Sequence, residues 1–499
     1  MKNFALLLIT IFSLQLTSAQ TLNDAYRYSS SELDGTARFV GMSGAFGALG
    51  GDMSAVSINP ASSAVFLSSN FTGSMVYRNN DYSNSFNGGL DQNEDSNFDI
   101  GNLGGVFIFN NTDDSNWKKI SLGLNFNTVN DYDESFSVRG NSNSSIDQYF
   151  LNFAQDVPLD LLQTQSGESI AELYQFLGEN YGFGYQQALL GFQGYLIDVD
   201  PASSQNQYSS LIAPGNFDQS YSKYATGING KLTFNVGTQY KENLYLGLNL
   251  NSHFINYESS FDFSEFNNNS GSETTEVYFG NSLAANGEGF SFQLGGITKF
   301  DNFRIGATYD SPIWFTIREE TSEYLESNSS LDEYVVVAPN VINIYPEYTL
   351  RTPGQVTGSL AYLFGTTGLI SFDYSLKDYS NTKFRPENDL DFQDLNAQIS
   401  SEMKASSTYK LGAEYRISKV SLRGGYRYVE SPYENETTIG NLTGYSAGLG
   451  YNFGNINIDL AYSNAEYDSQ TPVFNTGLTT PIYAQKDLSK VILSVSFGL

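Results

Sequence analysis

Three basic residues near the C-terminal end of the chain have the charge and spacing to hold an acidic ligand. They are Lys410, Arg423 and Arg427, and each lies on the polar side of a stretch in which polar and apolar residues alternate. Arg423 and Arg427 are an even number of positions apart, so their side chains point to the same face of a strand. A carboxylate in an apolar pocket needs such a cation to offset its lost hydration. The structural alternative is that these cations pair with carboxylates of the chain, for which the candidates are Glu414, Asp373, Asp459 and Asp52.

A second set of candidate residues lies in the N-terminal part of the chain. Residues 20–69 lack strand alternation and contain a run of glycines and small residues that ends in Gly50-Gly51-Asp52, followed by Asn59-Pro60-Ala61. Small residues permit close backbone approach, so this segment suits packing in a confined space. Its apolar side chains have two readings, the lining of a pocket for a ligand's tail or plain packing; they are Phe39, Met42, Phe46 and Leu49.

Residue types that support catalysis or metal binding are scarce. The chain has no cysteine and one histidine, His253, which excludes thiol chemistry and leaves no serine that can be selected as a nucleophile. The acidic stretch 91–99 carries alternate oxygen ligands but lacks the glycine and the glutamate of a calcium loop. We therefore expect no catalytic residue, no metal and no cofactor, and a protein that is not an enzyme.

The elements that must position these residues are β-strands. Between residues 70 and 499 we count fourteen stretches with a period of two, for example 244–251, where leucines alternate with polar or small residues. Short turns and long polar connections join them in strict alternation. The short turns are Asn110–Lys118, Tyr240–Asn243, Phe300–Asn302, Gly365–Gly368, Ile417–Lys419 and Phe453–Asn455. The long connections are 80–97, 134–222, 259–286, 318–345, 380–403, 432–441 and 468–486, and 134–222 shows a helical apolar pattern at Ile170, Leu173, Tyr174 and Leu177.

Long connections on one side and short turns on the other are typical of barrels of the bacterial outer membrane. After the N-terminus no apolar run approaches the roughly 18 residues of a transmembrane helix, and backbone groups in lipid must be paired within the protein. The sequence therefore predicts an all-β fold, a fourteen-stranded antiparallel transmembrane β-barrel over residues 70–499, whose lumen is plugged by residues 20–69.

Several features predict location and partners. Residues 1–19 read as a signal peptide, and an even strand number places both termini in the periplasm. The last strand, Asp487–Leu499, resembles the C-terminal signal that the barrel-assembly machinery reads. The net charge of −29 argues against nucleic acid as a partner. We expect a monomer surrounded by outer-membrane lipid.

The N-terminal segment carries a family resemblance. The motif D-x-S-A-V-x-x-N-P-A at Asp52–Ala61, directly before a fourteen-strand meander, resembles the outer-membrane transporters of long-chain fatty acids and hydrocarbons (the FadL/TodX type). The resemblance implies that residues 20–69 are a hatch, with Asn59, Pro60 and Ala61 holding its fold. It also implies a kink in the third strand that opens the wall toward lipid, but Gly123 alone does not locate one. The Asn/Tyr-rich, acidic composition suits a Bacteroidota-like member.

Two functions remain open on this evidence. The first is passive transport of hydrophobic small molecules, such as long-chain fatty acids, with passage gated by the hatch. The second is a non-transporting scaffold or shuttle in a protein secretion system of the type IX kind. A transporter requires a tunnel beside the hatch, whereas a scaffold permits a fully packed lumen.

Overall fold

Residues 20–202 and 206–499 are described by a computed structural model, so the predicted signal peptide lies outside the described residues. The strands are β1 Asn70–Phe86, β2 Gly89–Asn110, β3 Trp117–Asp131, β4 Glu134–Ser142, β5 Ile197–Val199, β6 Tyr208–Ser210, β7 Phe217–Tyr240, β8 Leu244–Phe266, β9 Thr274–Phe300, β10 Phe303–Asp310, β11 Trp314–Ser329, β12 Asp332–Val337, β13 Asn343–Ile344, β14 Tyr348–Arg351, β15 Gln355–Phe364, β16 Gly368–Asp378, β17 Lys383–Arg385, β18 Ala405–Ile417, β19 Val420–Val429, β20 Leu442–Asn452, β21 Ile456–Pro472 and β22 Pro481–Gly498. The helices are α1 Leu22–Ser29, α2 Ala37–Val40, α3 Asp147–Ala154, α4 Ile170–Tyr181, α5 Phe183–Gln193 and α6 Leu390–Glu402. Short 3₁₀ turns lie at Ser54–Ser57, Pro60–Val65, Leu159–Leu161 and Tyr379–Asn381.

The strands form a closed barrel of fourteen antiparallel strands, as predicted. Successive strands pair in order, and β1 pairs with β22 to close the wall. At four positions of the wall, two successive strands together form one strand of the barrel. β4 continues β3, β11 continues β10, β15 continues β14, and β17 continues β16.

The alternation of the sequence orients the wall as expected. On β8 the side chains of Leu246 and Leu250 are 39% and 43% exposed and face outward, whereas Asn249 and Asn251 are buried and face the lumen. An apolar outer face satisfies the lipid, and a polar inner face can hydrogen-bond to whatever fills the lumen.

Several connections that we predicted as polar loops are strands. β1 and β2 run to a two-residue turn, so most of 80–97 is paired, and β8 and β9 leave only residues 267–273 outside the ladder. Asn87 and Gly88 both have positive φ, which is the geometry of a tight hairpin turn with an Asn-Gly sequence. These segments are strands although polar residues occupy both of their faces, because a strand pair outside the lipid needs no apolar face.

Three of the remaining long connections, 134–222, 318–345 and 468–486, contribute to a cap with its own apolar core, whereas helix α6 belongs to a second buried cluster. Helices α3, α4 and α5 pack onto the strand extensions through buried residues that include Phe150, Leu173, Leu189, Phe279 and Phe474. The helical pattern predicted in 134–222 is thus helix α4, whose Leu173, Tyr174 and Leu177 are buried. No helix in the described part of the chain is both long and apolar enough to cross a membrane.

Residues 20–69, called the N-terminal segment below, lie within the barrel. Glycines of the wall let its backbone approach closely: a Cβ on Gly247 would lie 2.2 Å from the Pro60 carbonyl carbon, and one on Gly306 would lie 2.2 Å from the Gly47 oxygen. The Asn59 amide donates to the Gly47 and Gly296 carbonyls (2.7 and 3.1 Å), and its oxygen accepts from the Ala61 N–H. The segment is therefore fixed to the wall by contacts that leave no room for larger side chains.

The two ends of the described chain lie on different sides. The Leu499 N–H donates to the Ser69 carbonyl at the end with the short turns. Gln20, the first described residue, lies instead in the lumen on the side of the cap, where its amide donates to the buried carboxylate of Glu319 on β11. Helix α1 follows directly after Gln20, and its residues Asp24 and Tyr26 line a cavity on the same side.

The close contact at Gly247 generates a first prediction. Gly247→Ala forces a methyl group into the Pro60 backbone, which should destabilise the docked N-terminal segment by about 1–3 kcal/mol. We expect faster proteolysis of this segment in the folded barrel and ion-conducting events in planar bilayers. Gly358→Ala is the matched control, because a Cβ there meets no atom within 4 Å. A Gly247→Ala protein as protease-resistant and as non-conducting as the control would contradict the docking described here.

Candidate functional site

A cavity of about 510 Å³ lies in the cap-side half of the lumen, between the N-terminal segment and the wall. We call it the aromatic chamber, because its lining is rich in tyrosine and phenylalanine: Tyr26, Tyr82, Tyr132, Tyr221, Tyr257, Phe261, Tyr379, Tyr433 and Tyr467. Leu283 and Leu442 also line the chamber, and so do several charged side chains that pair with one another, for example Lys223 with Glu134. Arg427 lies on the lining as well. The chamber therefore combines a large aromatic surface with paired charges and with Arg427.

A second cavity has a volume of about 240 Å³, and we call it the basic cavity because of the cations on its lining. Its lining contains four cationic side chains, Lys231, Lys377, Lys410 and Arg427. Arg427 and residues 30–33 line both cavities, so the basic cavity adjoins the aromatic chamber. The Ser54 and Ser57 positions of the N-terminal segment and Phe39 line it too.

The three predicted cations have different surroundings. Arg427 and Lys410 line the basic cavity, and they are directly opposite each other on β19 and β18. Arg423 lines neither cavity; it donates to Glu414 and to Asp459, both at 2.6 Å. Glu414 also accepts from Arg38 of the N-terminal segment, at 3.1 Å. Arg423 therefore pairs with carboxylates of the chain, which is the structural alternative. Arg427 and Lys410 instead line a cavity, as residues of a ligand site do.

The apolar candidates of the N-terminal segment are mostly packed within it. Only Phe39 lines a cavity, the basic one, while Met42, Phe46 and Leu49 lie in a buried cluster with Leu369 of the wall. The motif residues shape the backbone. Asp52 accepts from the Thr36 hydroxyl and the Ser54 N–H, Gly50 and Gly51 have positive φ, and Asn59, Pro60 and Ala61 contact the wall.

The wall contains a seam between β2 and β3–β4. The β2–β3 ladder runs from Asn110 to Asn102, and for residues 89–101 the described chain pairs β2 only with β1. Beyond Asn127, β3 and then β4 pair with β7. Side chains bridge the seam instead of a backbone ladder: the Asn97 amide donates to Asp131 and Asp133 at 2.9 and 2.7 Å.

A buried arginine joins the seam to the N-terminal segment. Arg78 of β1 is 1% exposed and pairs with Asp34 of the segment, with Asp131 of β3 (2.9 Å) and with Asp99 of β2 (3.3 Å). Nearby, Glu32 pairs with Lys490. Burial raises the pKa of the Glu32 carboxyl, but Lys490 and Arg78 outweigh that effect and hold the pKa below its ordinary value.

Three residues of the basic cavity were not predicted from sequence: Lys231, Lys377 and Asp310. Each lies on a strand, so the lumenal periodicity that selected Lys410 could have selected them as well. Lys377 lies on β16, which pairs with the strand of Lys410. The proximity of Lys231 to Lys410 could not be foreseen, because β7 lies across the barrel from β18.

Comparisons with known proteins show what this chain is similar to. Residues 225–480, about half of the chain, match the family model described as outer membrane protein transport protein (OMPP1/FadL/TodX). No curated protein sequence matches the chain. A FadL homologue of Pseudomonas aeruginosa is similar in structure, with a TM-score of 0.55 and 12% identity over 94% of this chain and 99% of that one. The toluene transporter TodX of P. putida aligns with a TM-score of 0.53 and 13% identity, over 95% and 99% of the two chains.

At these identities the solved structures show the shared fold alone. The family match covers the barrel from β7 to the end of the connection before β22, which includes Arg427 and Lys410. The chain therefore belongs to the OMPP1/FadL/TodX family of outer membrane transport proteins.

Proposed function

We propose that this protein takes up hydrophobic small molecules with an acidic head group, such as long-chain fatty acids, by passive passage across the outer membrane. The observation that carries the proposal is the aromatic chamber with Arg427 on its lining. Within the described residues the Arg427 side chain forms neither an ion pair nor a hydrogen bond, so its charge is available to a ligand.

The chamber matches the two parts of such a ligand. An acyl chain gains about 0.8 kcal/mol for each buried CH₂, and the aromatic lining supplies the apolar surface. A head-group carboxylate is costly to bury unless a cation meets it, and Arg427 supplies that cation. Binding of the whole molecule then follows from one apolar and one charged contact.

Passage requires that the N-terminal segment moves or that the wall opens. The Arg78 cluster supports a link between the two, because one guanidinium holds Asp34 of the segment and carboxylates on both sides of the seam. Displacement of Asp34 would leave Arg78 with fewer partners and weaken the seam. We propose that ligand passage is gated by the N-terminal segment in this way.

The alternative of a scaffold in protein secretion finds no specific support in the lumen. A fully packed lumen would favour that function, but two adjoining cavities are retained above the N-terminal segment. A retained chamber is of use to a transporter and costs a scaffold packing energy.

A binding measurement tests the role of Arg427. In purified full-length protein, Arg427→Gln should weaken the binding of a fluorescent long-chain fatty acid about tenfold, the value of one charge-assisted hydrogen bond, and leave the binding of a hydrocarbon of equal length unchanged. Lys419→Gln is the matched control, since Lys419 is an exposed cation in the turn between the same two strands.

Two results would count against the proposal. Absence of saturable binding of both fatty acid and hydrocarbon removes the transport function itself. Equal loss of both ligands in Arg427→Gln removes the head-group role and leaves an apolar transporter.

A cross-link tests passage through the seam. The chain has no native cysteine, so Asn97→Cys with Asp133→Cys, whose native side chains touch at 2.7 Å, can be bridged selectively. We expect the bridge to abolish uptake of fatty acid by cells, to leave ligand binding intact, and to be reversed by reduction.

The same bridge at Phe107 and Leu122 is the control, because these positions are already partners in the β2–β3 ladder. Full uptake with the seam bridged would place the exit elsewhere.

A further inference from the structure

We infer that the basic cavity binds a doubly charged oxyanion, and that its ligand is the phosphate monoester head group of an amphiphile whose chain lies in the aromatic chamber. This inference rests on the proposed function and deepens it, because it assigns a second, more highly charged class of head group to the same lumen.

The strand register brings two like charges together. Lys410 of β18 and Arg427 of β19 are direct partners in the ladder, with both side chains on the lining of the basic cavity. Like charges at directly opposed positions destabilise a sheet unless an anion lies between them. Asp373 is the partner of Lys410 on its other side, yet the two side chains form no ion pair within the described residues; the Asp373 carboxylate accepts instead from the N–H groups of Phe46 and Gly47.

The cavity holds more positive charge than the chain neutralises. Among the residues that the structure describes, Lys231, Lys410 and Arg427 form no ion pair, and Lys377 donates to the Ser29 carbonyl, a neutral group. The carboxylates Glu32 and Asp34 on the lining already pair with Lys490 and Arg78.

That leaves Asp310 as the one carboxylate of the lining with no cationic partner in the described chain, and it accepts from Gln293 at 2.9 Å. A single carboxylate ligand would still leave cations unmatched. A dianion comes closer to balance.

Neutral polar groups complete the site. His253 is 4% exposed, its Nε2 lies 2.8 Å from the Ser291 hydroxyl, and its Nδ1 has no hydrogen-bond partner in the described residues. Both residues line the basic cavity, together with Asn251. A phosphate monoester carries a charge between −1.5 and −2 at neutral pH and three strong acceptor oxygens, which suits several lysines and a few neutral donors on different strands.

The geometry also favours an amphiphile over a free ion. Arg427 and residues 30–33 line both cavities, so a head group in the basic cavity has its chain directed into the aromatic chamber. Inorganic phosphate would occupy the cations but leave the apolar lining unused.

The test compares probes that share one chain. Dodecyl phosphate, dodecanoate and dodecanol are titrated against the full-length purified protein, with inorganic phosphate as a separate arm. We expect dodecyl phosphate to bind about tenfold more tightly than dodecanoate, the equivalent of one further charge-assisted contact, and inorganic phosphate to bind much more weakly than either.

Variants assign the preference to this cavity. Lys410→Gln should remove the preference for dodecyl phosphate, Lys410→Arg should retain it, and both should bind dodecanol as the unsubstituted protein does. Lys231→Gln, on the opposite wall, provides an independent variant if Lys410→Gln fails to fold. Lys419→Gln should change nothing.

The outcomes separate the two levels of the account. Binding of dodecanol and dodecanoate with no preference for dodecyl phosphate overturns this inference and leaves the proposed function standing. Inorganic phosphate as tight as dodecyl phosphate overturns the amphiphile and indicates a free-ion site. Failure of every chain-bearing probe to bind overturns the proposed function together with the inference.

Discussion

Every backbone N–H and C=O group that lies in lipid must find its partner within the protein, and the rest of this structure follows from that constraint. It requires the ladder that closes between β1 and β22. A closed ladder fixes which side chains face outward, so the apolar residues meet lipid and the polar ones enclose a lumen. Part of the lumen is then occupied by the N-terminal segment, which packs against wall glycines such as Gly247 and Gly306.

The seam between β2 and β3–β4 is where the ladder is interrupted. In the described chain, residues 89–101 of β2 form a backbone ladder with β1 alone, and asparagine and aspartate side chains such as Asn97 and Asp133 bridge the seam instead. These side-chain contacts are fewer than the backbone hydrogen bonds of a continuous ladder, and they are more easily replaced by other contacts. The Arg78 cluster connects this weaker part of the wall to Asp34, and therefore to the position of the N-terminal segment.

The lumenal cations divide into two groups with different physical meaning. Arg423, Arg38 and Arg78 have carboxylate partners within hydrogen-bond distance, so their burial is compensated by the chain itself. Arg427 and Lys410 have no such partner among residues 20–202 and 206–499, although both line a cavity. Burial of unpaired charge is costly, so a ligand is the natural partner of the second group.

The sequence predicted the barrel well and the site in part. Alternation of apolar and polar residues with a period of two is a local property of the sequence, so the strands of the wall could be predicted from it. Helix α4 could be predicted as well, because its apolar residues follow a helical period instead. The extensions of β1 and β2 were missed because strands outside the lipid need no apolar face, although Asn87-Gly88 signals their turn. Arg427 and Arg423 occupy equivalent positions on one strand, and only closure of the barrel shows which of them meets Glu414.

A structure of the protein extracted from native membranes without added ligand would show whether the aromatic chamber is a ligand site. We expect elongated density in the chamber, with its polar end against Arg427. A chamber filled by side chains of the cap or of the N-terminal segment, with no ligand density, would rule out ligand binding there.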